Sequence, residues 1–287
     1  MTVPIDPRLR RLVQEALRED GARQDITSRA IPWSMRAVAE IVAEQDMIVS
    51  GTAPALMAFR LCDPRVRVLK SVRDGRRVGP GRPILRVKGR ARSLLSAERT
   101  ALNFLSRLCG VATLTRRFVD AVPAGARARA RARARILDTR KTTPLLRHLE
   151  KSAVAHGGGK NHRMTLSEAV LLKDNHVLLL GGVLPAIRAV RRRLGKSVEI
   201  EVEVKSFAEL REALSEGAGR VLLDNMTDRQ VRRAMRMVGG RAKVEVSGGV
   251  GLDRISRLAR LGVDYISVGA LTHSALAAKI SMDVRRA

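Results

Sequence analysis

Residues 198–226 read VEIEVEVKSFAELREALSEGAGRVLLDNM, and their texture decides the fold. Val198–Val204 is a short run in which Val and Ile alternate with Glu199, Glu201 and Glu203, as in a strand. Ala208–Glu216 changes to the spacing of a helix, with Leu210, Ala213 and Leu214 on one side. Arg220–Asp224 is again a short apolar run, ending on an acid. Strand, helix and strand at these lengths make a unit whose two strands lie parallel.

The alternation continues outward from this stretch. Downstream come a helix at Asp228–Val238, a strand at Lys243–Val246, a helix at Leu252–Leu261, a strand at Tyr265–Val268 and a closing helical segment. Upstream, Ile136-Leu137-Asp138 ends a strand, and Pro144–Ala155 and Val183–Leu194 are helical. Each strand stops on a polar or small residue: Asp138, Glu203, Asp224, Ser247, Gly269. Repeated short strands with such ends predict a closed (β/α) barrel whose sites gather on one rim.

The first ~90 residues have a different rhythm. A helix is predicted over Asp6–Glu19, with Asp6 as cap and Pro7 in the first turn. Ala37–Val49 reads as strand, Pro54–Leu61 as helix, and Val66–Val72 and Pro83–Val87 as strands. That is a small α+β domain. A long helical pattern, Arg92–Val122, connects it onward, with Gly110 expected to bend or divide it. The boundary is drawn at residues 1–110 and 111–287.

The chain has 287 residues and a net charge of +27, with aromatic residues at only 2%, so its core is aliphatic. The basic residues are spread along the whole chain, and the aromatic side chains on which single-stranded nucleic acids stack are scarce. An anionic substrate on a basic composition therefore ranks above a nucleic-acid partner. The run GARARARARARILD, residues 125–138, with Arg127, Arg129, Arg131, Arg133 and Arg135, reads as an exposed insertion. Cys62 and Cys109 lie in apolar surroundings with no metal-ligand spacing, which suits reduced thiols. No signal-peptide core and no apolar run near the ~20 residues of a membrane span occur, so a cytoplasmic protein is expected.

Charge is concentrated between Asp138 and His176. Arg140, Lys141, His162, Arg163 and Lys173 flank Gly157-Gly158-Gly159, with apolar residues on either side. Arginines clamp planar carboxylates, lysines supply point charges, and a histidine donates to either. VEVSGGV and YISVGA place small residues where strands stop and helices start, so the backbone at Gly248, Gly249, Gly269 and Ala270 suits a phosphate. Glu203 and Asp224 end neighbouring strands beside it and suit Mg²⁺. Spacing does not choose among Glu199, Glu201 and Glu203, and depth toward the rim favours Glu203. No arrangement for covalent nucleophilic catalysis is evident.

These segments resemble one family. DTRKTTP, LEKSAV, GGGKNHR, LLKDNH, EVEV, LLDNM, VSGGV and ISVGA, preceded by ERTALNFLSRLCGVAT, are similar to the quinolinate phosphoribosyltransferases, the carboxylating nicotinate-nucleotide pyrophosphorylases. The resemblance implies an N-terminal α+β sandwich and a C-terminal open α/β barrel. It implies a Mg²⁺-dependent reaction of quinolinate with phosphoribosyl pyrophosphate to nicotinate mononucleotide, pyrophosphate and CO₂, a step of NAD biosynthesis. It implies a homodimer in which Arg99 reaches the partner subunit's quinolinate. Arg140, His162, Arg163 and Lys173 would surround the two carboxylates. Lys141, Glu203 and Asp224 would be catalytic, the last two also holding Mg²⁺. Ser247, Gly248, Gly249, Gly269, Ala270 and His273 would hold the 5′-phosphate. Leu145 departs from the family, which usually has Gly there. The intact NHR and KDNH motifs separate the chain from a paralogous group found with molybdate transport.

Overall fold

The computed structural model describes residues 6–123 and 134–287. In chain order, α1 (Pro7–Glu19) precedes β1 (Arg36–Ala43), β2 (Met47–Ile48), α2 (Thr52–Cys62), β3 (Arg67–Ser71), β4 (Arg77–Val78), β5 (Pro83–Arg90) and α3 (Ala91–Asp120). Then come β6 (Arg135–Leu137), α4 (Arg147–His156), β7 (Val170–Leu172), α5 (Asp174–Leu179), α6 (Val183–Leu194), β8 (Ile200–Val204) and α7 (Phe207–Ser215). The chain finishes with β9 (Arg220–Asp224), α8 (Asp228–Val238), β10 (Lys243–Ser247), α9 (Leu252–Arg260), β11 (Tyr265–Ser267), α10 (Ala270–His273) and β12 (Ile280–Arg286).

These elements form two compact units. One joins the chain up to Arg116 with Thr143–Gly158 and Ser274–Ala287; the other takes in Arg117–Thr142 and Gly159–His273. The first unit thus collects three separate segments of the chain.

The first unit is built on an antiparallel sheet in the order β12-β1-β5-β3, with β2 and β4 paired beside it. Along β1, every second side chain is buried, the pattern of a strand with one face on a core. That core holds Ile41, Phe59, Leu85, Leu94, Ala101 and Leu105, so α2 and α3 cover the sheet. Asp6 caps α1 by accepting the Arg8 N–H at 2.9 Å.

Several sequence expectations change here. The 37–49 run is two strands, because the chain turns between Ala43 and Met47. Gly110 does not divide α3, which is one helix of 30 residues. Its hydrogen is needed because a Cβ there would collide with the carbonyl of Leu276. The closing segment is not a helix: beyond the short α10, β12 pairs with β1, Met282 opposite Ile41. The helix expected from Pro144 starts at Arg147, since Leu145 sits at φ 66, outside helical backbone.

The second unit is a six-stranded parallel sheet in the order β6-β11-β10-β9-β8-β7. β7 and α5 fill a stretch to which the sequence had assigned no element. The expected closed barrel is corrected: among the described residues β6 and β7 are edges with no ladder between them, so the sheet is open. β8 is buried on both sides, as helix-covered parallel strands are. Capping fixes the helix starts; Ser206 accepts from Glu209 at α7, and Thr227 and Gln230 form a reciprocal cap at α8.

Arg127, Arg129, Arg131 and Arg133 of the Arg–Ala run lie outside the described residues, while Arg135 is exposed on β6. No helix among the described residues is long and apolar enough to cross a membrane.

Candidate active site

Because the six strands are parallel, all their C-terminal ends fall on one edge. That edge carries Asp138 after β6, Lys173 after β7, Glu203 in β8, Asp224 at the end of β9, Ser247 at the end of β10 and Gly269 after β11. Ser247 stands directly opposite Asp224 in the ladder. Residues scattered over 138–269 therefore meet on one rim.

The cations come from the segments between β6 and α5. Asp138 is buried and accepts the backbone N–H of His162 at 2.9 Å. Lys160 N–H donates to Ile136 at 2.8 Å, so the chain before His162 runs along the open edge of β6. Arg163 follows, half-buried, one Nη donating to the carbonyl of Ala169 at 2.9 Å. Burial, and next the charge of Arg140, lower the affinity of its guanidinium for a proton, while Glu201 opposes them. Arg140 and Arg163 thus repel each other in a half-buried place, an arrangement that a dianion relieves.

His162 lies differently. Its Nε2 is 3.3 Å from Glu201 Oε2 and 3.7 Å from Glu245 Oε1, and its Nδ1 accepts the N–H of Arg163 at 2.8 Å.

Lys141, Gly269 and His273 come together at the other end of the rim. Thr272 donates its hydroxyl to the carbonyl of Lys141 at 2.7 Å. A Cβ at Gly269 would stand 3.0 Å from His273 Nε2 and 3.3 Å from Lys141 Cδ. Gly248 takes φ 92, and a Cβ there would collide with the Asn225 side chain. Only glycine combines that backbone with so close an approach, which leaves the Ser247–Gly249 turn free to face a phosphate with N–H groups.

Glu203 is half-buried. Burial raises its pKa, followed by the charges of Asp224 and Asp174, while Lys173 and Lys205 work the other way. Two like charges at neighbouring strand ends, incompletely balanced, fit a hard divalent cation that takes one or two carboxylates and completes its shell with substrate oxygens and water.

Comparison with known proteins agrees with this geometry. Residues 25–109 match the quinolinate phosphoribosyl transferase N-terminal domain, and residues 111–283 match its C-terminal domain. The chain belongs to the quinolinate phosphoribosyltransferase family. It is 40% identical over 276 residues to a probable nicotinate-nucleotide pyrophosphorylase [carboxylating] of Bacillus subtilis, covering 96% of this chain and 93% of that one. It is 40% identical over 296 residues to quinolinate phosphoribosyltransferase [decarboxylating] 1b of Nicotiana tabacum, covering 96% and 82%. The solved structure of NadC from Streptococcus pyogenes superposes with a TM-score of 0.91 at 36% identity, covering 100% of both chains.

Within the quinolinate phosphoribosyltransferase frame, the second unit supplies every expected site residue but one. Arg99 is exposed on α3, in the first unit. Sequence reasoning missed several rim residues. Lys205 Nζ pairs with Asp174 Oδ2 at 2.8 Å beside Glu203. Asn225, at φ 53, donates to Asp224 Oδ2 at 2.9 Å. Asn after an acid at a strand end was the available signal, since Asn enters left-handed backbone readily. Arg220 and Glu245 were also missed, although charges inside short apolar strands mark an inward-facing polar layer.

Proposed function

We propose that this chain is a carboxylating nicotinate-nucleotide pyrophosphorylase. It transfers the phosphoribosyl group of phosphoribosyl pyrophosphate to quinolinate and yields nicotinate mononucleotide, pyrophosphate and CO₂ for NAD biosynthesis. The observation that carries the reading is the half-buried Arg140–Arg163 pair on the same rim as the Glu203–Asp224 pair and the Ser247–Gly249 turn. A planar dicarboxylate suits the first and a phosphorylated sugar the other two.

Arg140, Arg163 and Lys173 hold the two carboxylates, and orient the ring nitrogen toward the anomeric carbon. Ser247, Gly248, Gly249, Gly269 and Ala270, with His273, hold the 5′-phosphate. Glu203 and Asp224 face the ribose and stabilise the positive charge that develops as pyrophosphate leaves. Lys141 neutralises the departing pyrophosphate. Mg²⁺, held through Glu203 and Asp224, would add its charge to the same leaving group. The ring nitrogen is itself the nucleophile, so no protein nucleophile is required. Once it carries the ribose it is cationic, and its charge stabilises the electron pair left on the adjacent ring carbon as that carbon's carboxylate departs as CO₂; the carbon then takes up a proton from water. Holding both reactants in line contributes much of the remaining rate. A second subunit brings Arg99 to the quinolinate. Free Cys62 and Cys109 suit the reducing cytoplasm.

The test is direct. The purified protein is mixed with quinolinate, phosphoribosyl pyrophosphate and Mg²⁺, and nicotinate mononucleotide and CO₂ are measured. Equal amounts of both are expected; formation of neither overturns the reading.

A further inference from the structure

Beneath the rim lies a second polar layer that none of the roles above uses. Glu201 sits two residues before Glu203 on β8, and Glu245 two residues before Ser247 on β10. Strand side chains alternate, so each shares its neighbour's face about 6.6 Å deeper. Both are buried. Arg220 of β9 stacks on Tyr265, 4.0 Å from the ring centroid. Its guanidinium bonds to Glu245, and its Nε lies 3.4 Å from Glu201 Oε1. Ser267 donates its hydroxyl to Glu245 as well.

His162 spans from this layer to the substrate-facing segment. Its Nδ1 accepts the Arg163 N–H, which leaves Nε2 to face the buried carboxylates. Nε2 lies 3.3 Å from Glu201 Oε2. The backbone N–H of His162 is fixed in turn by buried Asp138. His162, Glu201 and Glu245 have ligand atoms near enough to share one metal ion. Arg220 already stands on both carboxylates, however, so a cation is present and a metal is not required.

We propose that Glu201, Glu245 and Arg220 are positioning residues that hold the His162 ring as a strut, and that His162 acts by fixing the backbone of Arg163 rather than by touching the substrate. This rests on the reading of the Arg140–Arg163 pair as the quinolinate pocket. Arg163 is a planar fork, and its bidentate fit to a carboxylate depends on where its backbone stands. A carboxylate–histidine pair sets the direction of the imidazole, as it does for histidines in metal sites.

Replacements of His162 separate the two roles. Asn places a side-chain oxygen near the position of Nδ1 and keeps an acceptor for Arg163. Gln reaches toward the position of Nε2 and loses that acceptor. KM for quinolinate, KM for phosphoribosyl pyrophosphate and kcat are measured for each, together with calorimetric binding of quinolinate and thermal unfolding. His162→Ala is expected to raise the quinolinate KM roughly tenfold or more, as misplacement of a binding group does, with the phosphoribosyl pyrophosphate KM unmoved. His162→Asn is expected to recover most of that loss and His162→Gln little. The milder Glu201→Gln, which keeps shape and an acceptor, should raise the quinolinate KM without lowering Tm to the assay temperature. If His162→Gln performs well and His162→Asn as poorly as Ala, Nε2 works on the substrate and the proposal is overturned. It is equally overturned if folded His162→Ala and Glu201→Gln keep the wild-type quinolinate KM. In either case a wild type that turns over leaves the proposed function standing, whereas a wild type that does not bind quinolinate removes both.

Discussion

Arg107 Nη2 and Glu150 Oε1 meet at 2.7 Å, with Glu150 fully buried and Arg107 at 24% exposure. Arg107 also donates to the carbonyl of Ala275 at 2.8 Å, and Glu150 accepts both the N–H and the hydroxyl of Thr143. One ion pair therefore ties α3, the turn before α4 and the start of the C-terminal segment, three stretches far apart in sequence but within one unit. Removing one partner leaves the other charge buried. Glu150→Ala or Arg107→Ala should each cost about 3–5 kcal/mol in chemical denaturation. A joint apolar replacement, Arg107→Met with Glu150→Leu, should cost less than the two together. Single variants within experimental error of wild type would show that the pair holds nothing.

Leu145 sits at φ 66 with its side chain 87% exposed. A left-handed conformation costs a residue with a Cβ about 1–2 kcal/mol, against roughly 0.5–1 kcal/mol of extra chain entropy lost by glycine. Leu145→Gly should therefore be neutral to stabilising, by up to about 1 kcal/mol, or about 2–4 °C in Tm. Leu145→Ala keeps the strain and loses no packing, so its Tm should stay at the wild-type value. If Ala raises Tm as much as Gly, backbone strain is not the cause.

The contrast between these two positions shows where sequence reading succeeds. The strands β8–β10 and the helices between them were legible, because each is specified locally: an apolar run, a capping Ser206 or Thr227, a helical stripe. The rim followed, since parallel strands place their ends together. β12 was not legible. Ile280–Arg286 is a strand because β1 offers an unpaired edge, and nothing in ISMDVRR states that. Nor could spacing distinguish Glu201 from Glu203; only depth assigns the first to a buried layer with Arg220 and the second to the rim. His162 was singled out by its neighbours in sequence, whereas the 3.3 Å approach of its Nε2 to Glu201 is set by the fold.

Arg140→Ala and Lys173→Ala remove charge from the proposed carboxylate pocket. Loss of one partner of a desolvated charge pair costs roughly 2–5 kcal/mol, so each should lower kcat/KM for quinolinate by roughly a hundredfold. The effect of Arg140→Ala should appear mainly with quinolinate as the varied substrate. Wild-type turnover in both variants would place the pocket elsewhere.

Glu203 and Asp224 predict a metal dependence. Burial and the Asp224 charge raise the Glu203 pKa, so a bound cation favours its ionised form. Glu203→Gln leaves one carboxylate at the site. The Mg²⁺ concentration for half-maximal activity should rise several-fold, and kcat should fall as the stabilising charge near the ribose is lost. Calorimetry of Mg²⁺ with enzyme and pyrophosphate checks binding apart from turnover. An unchanged Mg²⁺ requirement in both Glu203→Gln and Asp224→Asn would exclude these two as its ligands.

Glu245 predicts a pH dependence of stability. Burial comes first and the charge of Glu201 next in pushing its pKa up to about 7, against Arg220, His162 and the Ser267 hydroxyl, which favour ionisation. In the unfolded chain the same group titrates near the ordinary value of 4.5. The fold therefore prefers the protonated form. Its contribution is complete below about pH 4.5 and is lost as pH rises through about 7. Glu201 opposes burial with the His162 hydrogen bond and the Arg220 charge, which hold it below the usual range, so it remains the ionised member of the pair. Tm of the wild type should fall between pH 5 and pH 7.5 relative to that of Glu245→Gln, which carries no titrating group there. The difference between the two curves isolates this one carboxyl from the many others that titrate at lower pH. Parallel curves across that interval would mean that Glu245 ionises as freely inside the sheet as in water.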